Sequence, residues 1–194
     1  RGFQKNIISF DANSLYPSVM VTLNLSPETK VGSIIGTDKD KVYVKTVNDK
    51  HIEMTYKDFR KWCDVNEIAI TRAKKLFSQK TKGIFPRITD HFYDIRRGKK
   101  EEWNVERENL HQLTLALEKE TDPIAQEKIK EEMKLTKYKI DQLWIWQFTL
   151  KILINRIYGY FGNKISQMGD GDIARSITLT GRDVIKQSNV ILRN

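Results

Sequence analysis

Apolar and polar positions alternate in two different rhythms along this chain, short and strand-like first, long and helical later. Residues 5–10 place Ile7, Ile8 and Phe10 in a β-branched run that predicts a strand, with Asp11 at its end. The chain starts abruptly inside that run, which predicts that it begins within a domain. Residues 16–23 predict a short helix, with Ser14 as its N-cap and Pro17 at a tolerated early position. Residues 41–56 alternate as a hairpin does: Val42, Val44 and Val47 are expected to face Ile52, Met54 and Tyr56 across Asn48-Asp49-Lys50. A short helix is expected over residues 55–64.

Helical patterning then takes over. One long helix is expected at 86–120 and a second at 123–160, broken at Thr121-Asp122-Pro123. Pro123 disfavours helix at Asp122 and suits the first turn of a new one. Within the second, Met133, Ile140, Trp144 and Phe148 are expected near one face. Two long charged helices joined by a tight turn predict an antiparallel hairpin, or a plain coiled-coil spacer. A further helix is expected over 173–193. There is no internal repeat and no low-complexity segment. The elements together predict a mixed α+β chain in three stretches, 1–85, 86–162 and 163–194.

Composition narrows the classes. With 194 residues, 39% hydrophobic and 30% charged, the chain can build a globular core. Its single cysteine, Cys63, excludes an internal disulfide and a cysteine-based zinc cluster, and fits a reducing compartment. No apolar run approaches the roughly 20 residues of a membrane span, and the N-terminus lacks the shape of a signal peptide. The net charge is +9, and residues 71–100 hold ten Lys/Arg against two Asp. A local basic stretch suits a polyanion such as nucleic acid or a triphosphate; a solvated charged face is the bland alternative.

Two segments carry candidate chemistry. In Asp11-Ala-Asn-Ser-Leu-Tyr-Pro-Ser18 a carboxylate at a strand end is followed within five residues by a helix N-terminus. Hard cations such as Mg²⁺ prefer carboxylate oxygens, and free helix amides bind phosphate. Asp11 could equally do no more than cap a helix. In the second segment Lys151, Asn155, Tyr158 and Gly162 are spaced by four, three and four residues, which puts them on one helical face. Glycines there let a flat base pair approach the backbone. An ordinary amphipathic helix ending near Gly159 is the alternative.

The first segment resembles motif A of the family B DNA polymerases, and Lys151-x-x-x-Asn155-Arg-x-Tyr158-Gly159 resembles their motif B. The resemblance implies a partial polymerase palm with antiparallel strands and a two-helix fingers hairpin. It implies that Asp11 and the carbonyl of Ala12 ligate catalytic Mg²⁺ and that the Ser14, Leu15 and Tyr16 amides hold the β- and γ-phosphates. The Tyr16 ring would then exclude a ribose 2′-hydroxyl. Lys151 would contact the triphosphate, Asn155 would lie beside the nucleotide and Tyr158 would check the nascent pair. Family fingers carry an Arg and a Lys four residues apart; Arg96 and Lys100 have that spacing, with Arg97 and Lys99 as alternative registers. Arg156 departs from the usual Ser.

The resemblance runs from Asn6 to about Ile191, and the short insert after motif A looks most like T-even-type phage polymerases. The family's second catalytic aspartate comes from a Tyr-x-Asp-Thr-Asp-Ser hairpin that is absent from this sequence. Asp170 and Asp172 lie too close after motif B to replace it and read as a loop. Neither an exonuclease Asp-x-Glu motif nor a thumb is recognisable. The implied activity is deoxynucleotidyl transfer to a primer 3′-hydroxyl on primer-template DNA, with dNTP as substrate and two Mg²⁺ ions. The expected partner is a further segment or chain supplying the second aspartate, thumb and perhaps an exonuclease, so the chain is a fragment or one piece of a split polymerase. Its expected place is the cytoplasm, a host's if phage-encoded. The alternatives are a non-catalytic nucleotide- or DNA-binding or assembly subunit and, more distantly, another palm-type polymerase such as a reverse transcriptase.

Overall fold

The computed structural model describes residues 14–163 and 165–191 and divides into two compact units, residues 1–86 with 158–194, and residues 87–157. The expected strand at 5–10, Asp11 and Ala12 lie outside the described residues.

The first unit is built on a sheet. Helix α1 (Leu15–Thr22) leads through a 3₁₀ turn to strand β1 (Lys30–Asp38). Strands β2 (Lys41–Thr46) and β3 (His51–Thr55), helix α2 (Tyr56–Val65) and strands β4 (Ile68–Ile70) and β5 (Lys75–Ser78) follow. All pairings are antiparallel, in the order β3-β2-β1-β5-β4. The β2–β3 hairpin keeps the expected register for Val42 opposite Met54 and Val44 opposite Ile52. Val47 and Tyr56 are not in that ladder. The Asp49 amide turns back to the Thr46 carbonyl, which ends β2 before Val47, and the Val47 amide bonds to Val31 instead. Tyr56 starts α2, whose N-cap Thr55 accepts from the Asp58 amide at 3.1 Å.

Val42 and Val44, two apart on one face, are buried with Leu76 and with Phe59 and Cys63 of α2. Burial and neighbouring Asp64 push the Cys63 thiol pKa up, which keeps it a protonated packing group. Strands β1 and β2 approach closely at Gly32, where a Cβ would stand 2.4 Å from the Lys45 carbonyl oxygen. The strands β1, β4 and β5 are not anticipated above. Lys30-Val-Gly-Ser-Ile-Ile-Gly-Thr mixes glycines and polar residues, and its strand conformation comes from pairing on both sides.

Asn24 sets the path from α1 onward. It is buried, left-handed at φ 52°, and its side-chain amide donates to the carbonyls of Ser78 at 2.6 Å and Thr81 at 2.8 Å. Its oxygen accepts from the Gly83 amide at 2.8 Å, just before helix α3 (Ile84–Lys119). The unit closes with helix α5 (Gly171–Ile191), where Ile173 and Ile177 are fully buried.

The second unit holds most of α3 and of α4 (Pro123–Gly162). The break falls at Thr121-Asp122-Pro123 as expected, and Asp122 caps α4 by accepting from the Ile124 and Ala125 amides. The helices run antiparallel: Glu106 pairs with Lys139 at 3.5 Å, with the two residues nearly equidistant from the turn. Partly buried positions recur by fours and threes, at Arg96, Lys99, Trp103, Glu106, Leu110, Leu113 and Leu117 on α3. Ile129, Met133, Thr136, Ile140, Leu143, Gln147 and Leu150 do the same on α4. The spacing is that of a 3.5-residue coiled-coil seam.

Met133 and Ile140 lie in the seam, while Trp144 and Phe148, expected near the same face, are exposed. Among the described residues no helix is long and apolar enough to cross a membrane.

Candidate functional site

In the sheet unit the two motif segments meet through their tyrosines. The rings of Tyr16 on α1 and Tyr158 near the end of α4 stand 4.7 Å apart, tilted by 43°. Burial, and then the neighbouring Tyr16, raise the Tyr158 phenol pKa, so it remains a neutral hydrogen-bonding group at working pH. Tyr16 is 37% exposed.

Ser14 occupies the N-cap position of α1 but does not cap with its side chain. Its backbone is left-handed at φ 49°, ψ 49°, and its carbonyl accepts from the Ser18 amide at 3.0 Å. A left-handed N-cap points the hydroxyl away from the first turn, and Ser14 makes no side-chain cap bond to it. Helix amides of this kind can receive an anion.

Helix α5 closes the unit behind this pair. A Cβ built on Gly181 would lie 3.0 and 3.3 Å from two carbons of the Tyr16 ring and 3.4 Å from a Leu15 methyl. The helix is fixed by polar ties. Asp170 is its N-cap, accepting from the Asp172 amide at 2.8 Å and the Ile173 amide at 3.2 Å. Lys30 bridges Asp170 at 3.3 Å and Asp172 at 2.6 Å, and Lys75 reaches Asp172 at 3.0 Å. Thr71 and Ser176 share a buried hydroxyl bond of 3.0 Å, and Arg72 pairs with Asp183 at 2.6 Å.

Burial disfavours charge on both Lys30 and Asp172, yet their mutual bonds win. The Lys30 pKa is raised, and that of Asp172 is lowered by Lys30 and Lys75. Asp170 and Asp172 are therefore a helix anchor neutralised by lysines. Among the described residues no cluster of three His, Cys, Asp or Glu side chains could hold a metal ion.

In the hairpin unit Arg96 and Lys100 differ. Arg96 lies in the seam, with its Nε buried and without a hydrogen-bond partner, whereas Lys100 is exposed. Arg97 and Lys99 are tied to Asp94 at 2.8 Å and Glu102 at 2.8 Å, which leaves the 96/100 register the better candidate for a ligand. Lys151, Asn155 and Arg156 are exposed on α4. A Cβ at Gly159 or Gly162, in the sheet unit, would meet open space. Trp144 and Phe148, seven and three residues before Lys151, stack at 5.0 Å and 7°.

The residue that the sequence reading passed over is Gly181. Its signal was present, since a glycine inside a helix costs roughly 1 kcal/mol against alanine and often marks a close approach. Nothing in the sequence says that the approach is to Tyr16, 165 positions away.

Comparison with known proteins agrees along the whole chain. The family model described as DNA polymerase family B matches residues 1–119 and 124–194. The chain is 26% identical over 183 residues to a DNA polymerase of Orf virus, covering 93% of this chain and 15% of that protein. It is 29% identical to a DNA polymerase of Archaeoglobus fulgidus (97% of this chain, 17% of that protein). It is 26% identical to the DNA polymerase delta catalytic subunit of Candida albicans (94% and 13%). The chain thus spans about a sixth of the length of these relatives. The match over nearly all its residues places this chain in DNA polymerase family B.

Proposed function

We propose that this chain is the nucleotide-binding palm and fingers portion of a polymerase that extends a primer on a DNA template. The observation that carries the reading is the contact between Tyr16 of motif A and Tyr158 of motif B, within a chain matched by the family along its length. The sheet unit corresponds to the palm and the helical hairpin to the fingers. The amides of Leu15 and Tyr16, at the start of α1, would receive the β- and γ-phosphates. Tyr16 would lie against the sugar, where a ribose 2′-hydroxyl would collide with it. Tyr158 and the bare surface at Gly159 and Gly162 would take the nascent base pair. Lys151, Arg96 and Lys100 would neutralise the triphosphate, Arg by a fork and Lys as a point charge. Asn155 would lie beside the nucleotide.

Family B polymerases use divalent metal ions. Asp11 with the Ala12 carbonyl offers the oxygen donors that suit Mg²⁺, and such an ion, when bound, would lower the barrier by Lewis-acid charge. One carboxylate does not clamp two ions, and Asp170 and Asp172 are held by Lys30 and Lys75. By the family resemblance, the second aspartate and a thumb would be supplied by a further segment or chain. Its place would be the cytoplasm, a host's if it is phage-encoded.

The test is primer extension by the polymerase that contains this chain. Asp11→Ala should lower incorporation by on the order of a thousandfold or more while primer-template binding persists. Normal Mg²⁺-dependent extension by that variant refutes the assignment. Lys151-dependent dNTP binding without extension under any condition would favour a non-catalytic binding subunit.

A further inference from the structure

We infer that Gly181 is a positioning residue for nucleotide sugar selection: the missing side chain on α5 is the seat against which the Tyr16 ring rests. The inference rests on the reading of Tyr16 as the sugar-facing ring and adds what sets that ring's height. Three observations meet at this point. A Cβ at residue 181 would approach the Tyr16 ring to 3.0 and 3.3 Å, closer than the roughly 3.5–4.0 Å at which carbon atoms rest. The same Cβ would stand 3.4 Å from the Leu15 methyl, so the spot is closed by Leu15 as well. The backbone under it cannot easily retreat. Residue 181 is buried within α5, whose start is bound by Asp170, Lys30 and Lys75, and Asp183 on its next turn is held by Arg72.

With α5 held, an added methyl group moves the ring instead. Tyr16 is 37% exposed, so its ring has room to shift, and on the reading of Tyr16 as the sugar-facing ring its free side is the ligand side. A ring raised by a few tenths of an ångström narrows the space below the sugar. Gly181 thereby sets how large a 2′ substituent the enzyme tolerates, although it need not touch the nucleotide.

The experiment uses the polymerase containing the full chain and three nucleotides that differ only in 2′-hydrogen, 2′-fluorine or 2′-hydroxyl. The measured quantity is kcat/KM for each, plotted against substituent size. Gly181→Ala should steepen the discrimination between hydrogen and fluorine by roughly tenfold, a misplacement effect below an ångström. Its KM for the deoxynucleotide should rise more than its kcat falls. Tyr16→Ala should flatten the series, and Gly181→Ala in that background should add nothing, because the two act through one ring. An unchanged or shallower series in Gly181→Ala, with Tyr16→Ala flattened, overturns the role of Gly181 and leaves the sugar-facing ring standing. A series that Tyr16→Ala fails to flatten overturns the reading of Tyr16 itself. Should Gly181→Ala fail to fold, Leu15→Ala gives the ring room to settle back towards α5. That variant should make the series shallower, and an unchanged series there overturns the inference.

Discussion

The sheet unit and the hairpin unit treat their polar side chains in opposite ways. Around α5 the charged groups are matched: Lys30 and Lys75 face Asp170 and Asp172, Arg72 faces Asp183, and Ser176 meets Thr71. Thr180 Oγ1 is the exception. In the hairpin, polar residues sit at seam positions that a coiled coil gives to leucine, and Arg96 Nε, Trp103 Nε1 and Glu106 Oε2 are buried without partners. A paired buried group fixes one geometry, while a buried donor without a partner costs about 1–3 kcal/mol. The first unit is therefore built for rigidity where Tyr16 must be held. The second keeps the Arg96 Nε buried without a hydrogen-bond partner, which packing alone does not favour.

The comparison breaks first at Lys30. Lys30→Met leaves Asp170 and Asp172 facing each other across a half-buried space, and the expected loss is about 1–3 kcal/mol. Thermal unfolding should show it as a fall of several degrees. The pH dependence has a definite sign. The Asp172 pKa is depressed in the fold, so its contribution is complete above the ordinary value of 3.8 and is lost as pH falls through the lowered one. The Lys30 pKa is raised, so its contribution is complete below 10.5 and is lost as pH rises through the raised one. Stability from this cluster should be flat between those limits, and Lys30→Met should weaken both flanks. An unaltered acid flank in that variant would mean that Lys75 alone holds Asp172.

The hairpin should respond in the other direction. Arg96→Leu removes a buried donor from the seam and should stabilise the protein by about 1 kcal/mol, read from its melting temperature. The same variant should raise KM for dNTP if Arg96 reaches the triphosphate in the working enzyme. Stabilisation with unchanged KM would confine Arg96 to packing and leave Lys100 and Lys151 as the cations to test. The smallest effect is expected at Asp170→Asn. Asparagine still caps α5, so only the charge facing Lys30 is lost, about 0.5 kcal/mol for a partly exposed pair. A loss as large as that of Lys30→Met would show that the cluster acts as one network.

Much of this was legible in the chain because it is local. Pro123 marks the helix break, and alternating valines mark the β2–β3 hairpin. The four-three-four spacing of Lys151, Asn155, Tyr158 and Gly162 shares a face for reasons of helix geometry alone. The motif segments were legible for the same reason, each lying within a dozen residues.

What the sequence by itself determined, then, is the short-range part: helices, one hairpin, and which residue types recur at which spacing. Tertiary structure decided the rest. Strands β1, β4 and β5 are strands because of the neighbours they pair with, and Ser14 is left-handed where side-chain capping was expected. Asp170 and Asp172 became an anchor only when Lys30 and Lys75 arrived from distant strands. Arg96 turned into the seam and Lys100 out of it because the hairpin repeats every 3.5 residues. Gly181 met Tyr16 because α5 was fixed from elsewhere. Each of these depends on contacts between residues far apart in sequence, whose partners no local pattern encodes.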